Sequence, residues 1–281
     1  MALGSRGSST VFSRFSAIVL LFLAHGLAGC GGSGSPSTPS AVSTGSVSRI
    51  SGFVLDTGFR PIAEARVEVV DGPGAGAATA TDADGRFSLT GTFDGSTRFR
   101  ATKEGHVAAT QAWTCAGSCP GGAQPWLGFY LAVVAPNANI AGNYTLTLIA
   151  DGACPALPNE VRTRNYAATI RPRSSPDLPA NAGFVVTLSG ATFLDGLDSF
   201  GIGVAGDYLG IWLAGGHNPS FVEQVTADTY LAFSGNAATS LPASGASTIS
   251  APFDGWIEYY GTTVVRARCE SRGHQLILTR R

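Results

Sequence analysis

Lysine and methionine are almost absent from this 281-residue chain: Lys103 is the only lysine and Met1 the only methionine. Charged residues make up 13% of the sequence and the formal net charge is −1. A near-neutral chain offers no cationic footprint for a phosphate backbone, which argues against nucleic acid as a partner. Long apolar runs are missing too. The longest, Phe15 to Ala24, is too short to cross a hydrocarbon core of ~30 Å as a helix. Catalytic motifs are also absent. There is no His-Glu-x-x-His, no Gly-x-Ser-x-Gly elbow, no Ser-x-x-Lys and no lysine-bearing phosphate loop. Outside the leader the histidines are His106, His217 and His274, too far apart for metal-ligand spacing. The sequence therefore gives no catalytic set, no metal site and no cofactor.

What is abundant is glycine, with 37 residues, among many threonines, valines and alanines. That composition favours strands and tight turns over helices.

The first 30 residues have the parts of an export signal. Arg6 and Arg14 are their only charges, the apolar run follows, and small residues lead to Leu27-Ala28-Gly29-Cys30. This run resembles the lipobox of bacterial lipoproteins. The resemblance implies cleavage before Cys30, so that 1–29 is a signal peptide, and lipid attachment at Cys30. Several acyl chains hold a soluble domain on a bilayer, whereas one alone binds marginally. Gly31 rather than aspartate follows the cysteine, which by the same resemblance favours the outer membrane. The expected location is thus the bacterial cell envelope. Residues 30–46 continue as a tether that is, after Cys30, nearly all Gly, Ser, Thr, Pro and Ala, with no charge. Such a segment cannot bury enough apolar surface to order itself and spans about 20–25 Å.

With Cys30 assigned to lipid, Cys115, Cys119, Cys154 and Cys269 remain. An even number in an exported chain reads as disulfides. Of the three pairings, Cys115–Cys119 with Cys154–Cys269 is favoured, because each bridge then stays within one domain.

Residues 47–135 hold seven strand candidates at roughly ten-residue spacing: 49–55, 63–70, 77–81, 86–90, 97–102, 107–113 and 126–133. With no helical period, they predict a seven-stranded antiparallel sandwich. Asp84-Gly85 is expected to form a hairpin turn. Asp82-Ala83-Asp84-Gly85 lacks the further oxygen ligands of a calcium loop and reads as a turn.

Ile50-Ser51-Gly52-Phe53-Val54, Gly58, Pro61-Ile62, Ala65-Arg66-Val67, Thr81-Asp82-Ala83-Asp84-Gly85-Arg86-Phe87 and Ala101-Thr102-Lys103-Glu104-Gly105-His106 resemble the carboxypeptidase regulatory-like family. The resemblance implies a transthyretin-like sandwich grouped with carbohydrate-binding-like folds. In that family the module is an accessory, often on surface proteins. His106 stands where the family commonly has tyrosine, and the cysteine-bearing stretch 114–124 is an insertion.

Residues 138–281 alternate apolar and polar side chains. Tyr144, Leu146 and Leu148 form one such series, and Phe200, Ile202 and Val204 another. Eleven strand candidates are expected to merge across bulges into eight to ten strands. Their hairpin spacing predicts an up-and-down β-barrel or a barrel-like domain, which removes exposed edges. Gly142-Asn143-Tyr144 before a meander is similar in outline to the lipocalin-like layout. Most of the strand candidates are shorter than the ~9–11 residues of a membrane barrel, and their polar faces are too frequent.

Asp195, Asp198 and Asp207 lie in a Gly-rich turn region and read as turn residues rather than a catalytic pair. His274, just before the last strand, reads as a polar strand-end residue. Exposed aromatics are the better candidates for recognition. Trp113 and Trp126 flank the insertion and are the expected ligand-binding pair; Trp212, Trp256, Tyr259 and Tyr260 lie in barrel strands. The expected role is non-catalytic binding, with carbohydrate or an envelope protein as partner and the membrane reached through Cys30. The alternatives are a carrier of a small apolar ligand inside the barrel and an enzyme with an unfamiliar site.

Overall fold

The computed structural model describes residues 47–112, 126–173, 179–193, 199–213, 221–241, 247–262 and 264–281. The leader, Cys30, the tether, Trp113, Cys115, Cys119, Asp195, Asp198 and His217 lie outside the described residues. Ser43–Arg281 forms one compact unit holding two hydrophobic cores.

The first core lies between two sheets. The strands are β1 (Val47–Asp56), β2 (Arg66–Asp71), β3 (Ala78–Ala80), β4 (Arg86–Phe93), β5 (Arg98–Thr102), β6 (Ala109–Ala112) and β7 (Trp126–Leu131). One sheet has the order β4-β1-β7, the other β3-β2-β5-β6. Period-two alternation turns Ile50, Val54, Phe87, Leu89, Leu127, Phe129, Val67, Val69 and Phe99 inward. The sandwich is antiparallel except for one pair. β7 arrives from the opposite sheet and lies parallel to β1, with Ser51 opposite Trp126 and Asp56 opposite Leu131.

Asp84-Gly85 makes a tight turn, but not a hairpin within one sheet. It carries the chain from β3 to β4, which belong to different sheets. Gly85 sits at φ 72°, and Asp82 Oδ1 accepts the backbone N–H groups of Asp84 (3.0 Å) and Arg86 (2.8 Å). The carboxylate is committed to the turn, as its sequence suggests.

The second core is the inside of a barrel. The strands are β8 (Gly142–Ile149), β9 (Thr163–Pro172), β10 (Gly183–Ser189), β11 (Thr192–Phe193), β12 (Ser199–Ala205), β13 (Tyr208–Trp212), β14 (Phe221–Thr226), β15 (Thr229–Ser240), β16 (Thr248–Gly261) and β17 (Val265–Arg280). Eight of them close a ring in chain order, each antiparallel to the next. β17 pairs back onto β8 from Gln275 opposite Ile149 to Arg280 opposite Tyr144, which seals it. β14 and β11 extend the wall where the first half of β15 pairs with β14 and its second half with β13.

Side chains fill the interior. Tyr144, Leu146, Tyr166, Phe184, Phe233 and Phe253 are fully buried there, as expected for eight strands, whose interior is just wide enough for packed side chains. Asn165, Arg171, Arg268 and Glu270 are exposed outside. Apolar inside and polar outside is the inverse of a membrane barrel. Among the described residues no helix is long and apolar enough to cross a membrane. The β8–β9 connection folds onto the same core through Cys154, Leu157 and Val161, and a disulfide joins Cys154 to Cys269 of β17.

The tip of β1 locks the sandwich to the barrel. Buried Asp56 organises it, its Oδ1 accepting the N–H groups of Gly58 (2.8 Å) and Arg60 (2.9 Å). The Thr57 hydroxyl donates to the Val204 carbonyl. Directly beneath lie Gly203 and Gly210, cross-strand partners on β12 and β13. A Cβ at Gly203 would stand 2.0 Å from the Thr57 carbonyl oxygen, and one at Gly210 would stand 2.1 Å from that of Gly58. Gly203 of β12 and Gly210 of β13 thus serve as a seat for another backbone. A Gly203→Ala variant is expected to lose about 2–3 kcal/mol by forced separation of these backbones. Denaturant unfolding checks this, and a midpoint equal to wild type would refute the seat.

Candidate functional site

The outward face of the β4-β1-β7 sheet is built by the odd half of the alternation that fills the core. β1 contributes Arg49, Ser51 and Phe53, β4 contributes Arg86 and Ser88, and β7 contributes Trp126, Gly128 and Tyr130. Gly128 stands opposite Phe53. A Cβ there would come within 2.6 Å of the Phe53 ring. Its absence lets that ring lie across β7 between the two aromatics that flank the glycine. Phe53 is 6.1 Å from Trp126 and 5.7 Å from Tyr130, ring centre to ring centre.

The row continues onto the barrel. Phe59, at the tip of β1 with φ 69°, lies 6.2 Å from Tyr130 and 6.1 Å from Trp212. Its ring rests over Gly203 and Gly210. Five aromatics therefore follow one another in four edge-on or tilted steps: Trp126, Phe53, Tyr130, Phe59 and Trp212. Trp126 is 53% exposed, Trp212 43% and Tyr130 37%. These large side chains stand in water side by side on a sheet face rather than in a core, the kind of patch that suits recognition. The half-buried position of Tyr130 pushes its hydroxyl pKa up, so it stays a neutral hydrogen-bonding group.

Two hollows flank the row. A depression of about 340 Å³ beside Trp126 is lined by Arg49, Ser51, Asp82, Arg86 and Ser88. A cleft of about 620 Å³ between sandwich and barrel is lined by Phe59, Tyr130, Gln111, Arg173 and Phe184, among others. Gln111 donates from Nε2 to the Gly128 carbonyl at 2.8 Å, fixing that wall.

Trp126 heads the row; its expected companion Trp113 lies outside the described residues. Trp212 joins instead. Trp256 and Tyr259 point to opposite sides of the barrel wall. Tyr259 is buried inside, while Trp256 lies outside, 4.9 Å from the Arg268 guanidinium. Tyr260 stacks on Tyr230 at 5.4 Å. Phe53, Tyr130 and Phe59 were not among the sequence candidates. The signal for Phe53 is the Trp-x-Gly-x-Tyr spacing of β7, legible only once β1 is known to lie beside it.

Among the described residues the titratable candidates are not brought together. His106 Nδ1 lies 3.1 Å from the Glu104 carbonyl on the sandwich. Asp207 is exposed in the β12–β13 turn. His274 is fully buried inside the barrel rather than at a strand end on the surface. Its Nδ1 accepts the Asp151 backbone N–H at 2.9 Å, and burial lowers its pKa, which keeps the ring neutral. The Asp151 carboxylate faces the Ala153 N–H and the Ser271 hydroxyl instead, and these hold its pKa down. Cys154, Cys269 and His274 cluster within 4.8 Å. Both sulfurs are spent in the disulfide, so no thiolate is available there for a metal.

One cluster had no sequence signal. Buried Glu223 of β14 accepts from Arg164 Nε at 2.9 Å and from the Tyr166 hydroxyl at 2.7 Å, with a second bond from Arg164 Nη2. Burial first, and the Glu223 charge second, raise the Tyr166 pKa. The Glu223 bond raises that of Arg164.

Residues 49–118 match the carboxypeptidase regulatory-like domain family. The sandwich carries a carboxypeptidase regulatory-like domain. No curated protein matches the chain. The matched stretch lies in the sandwich, and the aromatic row begins on the outer sheet of that sandwich and ends on the barrel.

Proposed function

We propose that this protein is a non-catalytic, lipid-anchored component of the bacterial cell envelope that binds carbohydrate across its aromatic row. The exposed series from Trp126 to Trp212 carries the reading. Flat apolar rings offer stacking surfaces for the C–H faces of sugars, while the adjoining hydroxyl, amide and guanidinium groups supply hydrogen bonds. Cys30 and the tether hold the row near the outer membrane, where envelope glycans are concentrated. The filled barrel interior favours a ligand on the surface over one carried inside, and the scattered histidines favour binding over catalysis. Binding of the full chain to a glycan panel tests the reading. The Trp126→Ala variant is expected to weaken retained glycans by about thirtyfold, the effect of losing an aromatic anchor worth ~2 kcal/mol. Unchanged binding by that variant would remove the row from the function. Binding of an envelope protein but of no glycan would replace carbohydrate as the ligand.

A further inference from the structure

The aromatic row is bordered by cations with no acidic partner. Arg86 stands directly across from Phe53 on the outward face. Arg49 lies on the same face and donates from Nε to Ser88 Oγ at 2.7 Å. Arg173 lines the cleft at the Tyr130 end of the row. Elsewhere on the sandwich Arg66 and Arg100 bond Glu68 and Arg60 bonds Asp56, while Arg98 on the other sheet is exposed and lies away from the row. Among the described residues Arg49, Arg86 and Arg173 make no ion pair. The one carboxylate in the Trp126 depression, Asp82, has its Oδ1 committed to the backbone of its own turn.

Unpaired guanidinium groups beside exposed aromatic rings select a particular sugar chemistry. A neutral glycan would satisfy the rings and leave the cations to water. We infer that the ligand of the row is an acidic polysaccharide, an extended chain of uronic acid residues. Its ring faces lie on Trp126, Phe53 and Tyr130, and its carboxylates meet Arg49 and Arg86 at one end and Arg173 at the other. Arginine suits this role because its planar fork matches a carboxylate. Ser51, Ser88 and Gln111 stand within the same two hollows for the hydroxyls. The inference rests on the carbohydrate reading above and narrows it from sugars to uronates.

Isothermal titration of the full chain in detergent separates the two. The probes are polygalacturonate, its fully methyl-esterified form and poly-L-glutamate. The esterified polymer keeps the sugar and removes the charge; the polypeptide keeps the charge and removes the sugar. The expected result is binding of polygalacturonate that weakens as salt is raised, with the other two polymers at least about tenfold weaker. Arg86→Gln is expected to weaken polygalacturonate binding about three- to tenfold and leave any binding of the ester unchanged. Arg171→Gln, an exposed barrel arginine in neither hollow, serves as the control and is expected to have no effect. Equal binding of the acid and the ester overturns the uronate inference and leaves the carbohydrate reading standing. Binding of poly-L-glutamate as tight as that of polygalacturonate overturns both. Failure of polygalacturonate to bind overturns the inference, and the glycan panel then decides the broader reading.

Discussion

Replacing Cys154 and Cys269 together is expected to lower the stability of the folded unit by about 4–5 kcal/mol, the largest effect of any change considered. The bond spans 115 residues of sequence, so the unfolded chain without it regains the entropy of a long open loop. It also sits where the barrel needs it. Cys269 belongs to β17, the strand that closes the ring onto β8, and Cys154 belongs to the connection leaving β8. Without the link, closure rests on the six paired residues from Gln275 to Arg280. Because Cys154 is buried, alanine is the cleaner replacement; serine would add a buried hydroxyl. The measurement is guanidinium and thermal unfolding of the double Cys→Ala variant beside wild type. A fall in Tm of about 10–15 °C follows from the expected loss for a unit of this size. A variant that unfolds with wild type would show that the ladder alone closes the barrel.

The strands of both cores were legible because alternation survives in a half-buried sheet. Tyr144, Leu146 and Leu148 point inward as their spacing says, and so do Phe200, Ile202 and Val204. What alternation cannot encode is where a strand ends. The separate strand candidates 249–253 and 256–260 join across a bulge at Asp254-Gly255 into one continuous strand, β16. Pairing persists on both sides, with a register shift between Phe253 and Gly255. Pro252 is tolerated in that strand because β15 pairs only from Phe253 onward, so the missing N–H breaks no ladder on that side. β17 absorbs the expected gap before Gln275 in the same way. The Asp84-Gly85 turn was legible as a turn but not as a passage between sheets, because both destinations use the same local geometry.

Two rings of the row were legible in the sequence, but the row itself was not. Trp126 and Trp212 could be named, yet their connection runs through Phe53 and Phe59. Those two rings are displayed by glycines on other strands, Gly128 for one and Gly203 with Gly210 for the other. A single sequence gives no pairing partner for a glycine, so the absent side chains that shape the row carried no signal. The same holds for His274. Its proximity to the last strand was visible, but only the closed ring shows that this face of β17 points into the barrel.

Glu223→Ala is expected to cost about 3 kcal/mol, the second-largest effect, and its sign depends on what is left behind. Glu223 is 3% exposed at its side chain and Arg164 26%. Removing the carboxylate strands a guanidinium that is mostly withdrawn from water, and breaking a buried pair costs about 3–5 kcal/mol. The partial exposure of Arg164 places this case at the low end, since water still reaches part of the charge. Tyr166 loses the acceptor of its hydroxyl at the same time. Yet the pair need not be a net source of stability. Removing both charges also removes both desolvation costs, so Arg164→Leu with Glu223→Ala is expected to recover at least about half of the single-variant loss. A double-mutant cycle by denaturant unfolding measures the coupling. If the two single losses simply add, Arg164 and Glu223 act independently and the cluster is no unit. If the double variant equals the single Glu223 variant, the stranded charge is not the cause, and the loss lies in the joint that β14 makes with β15 and β11.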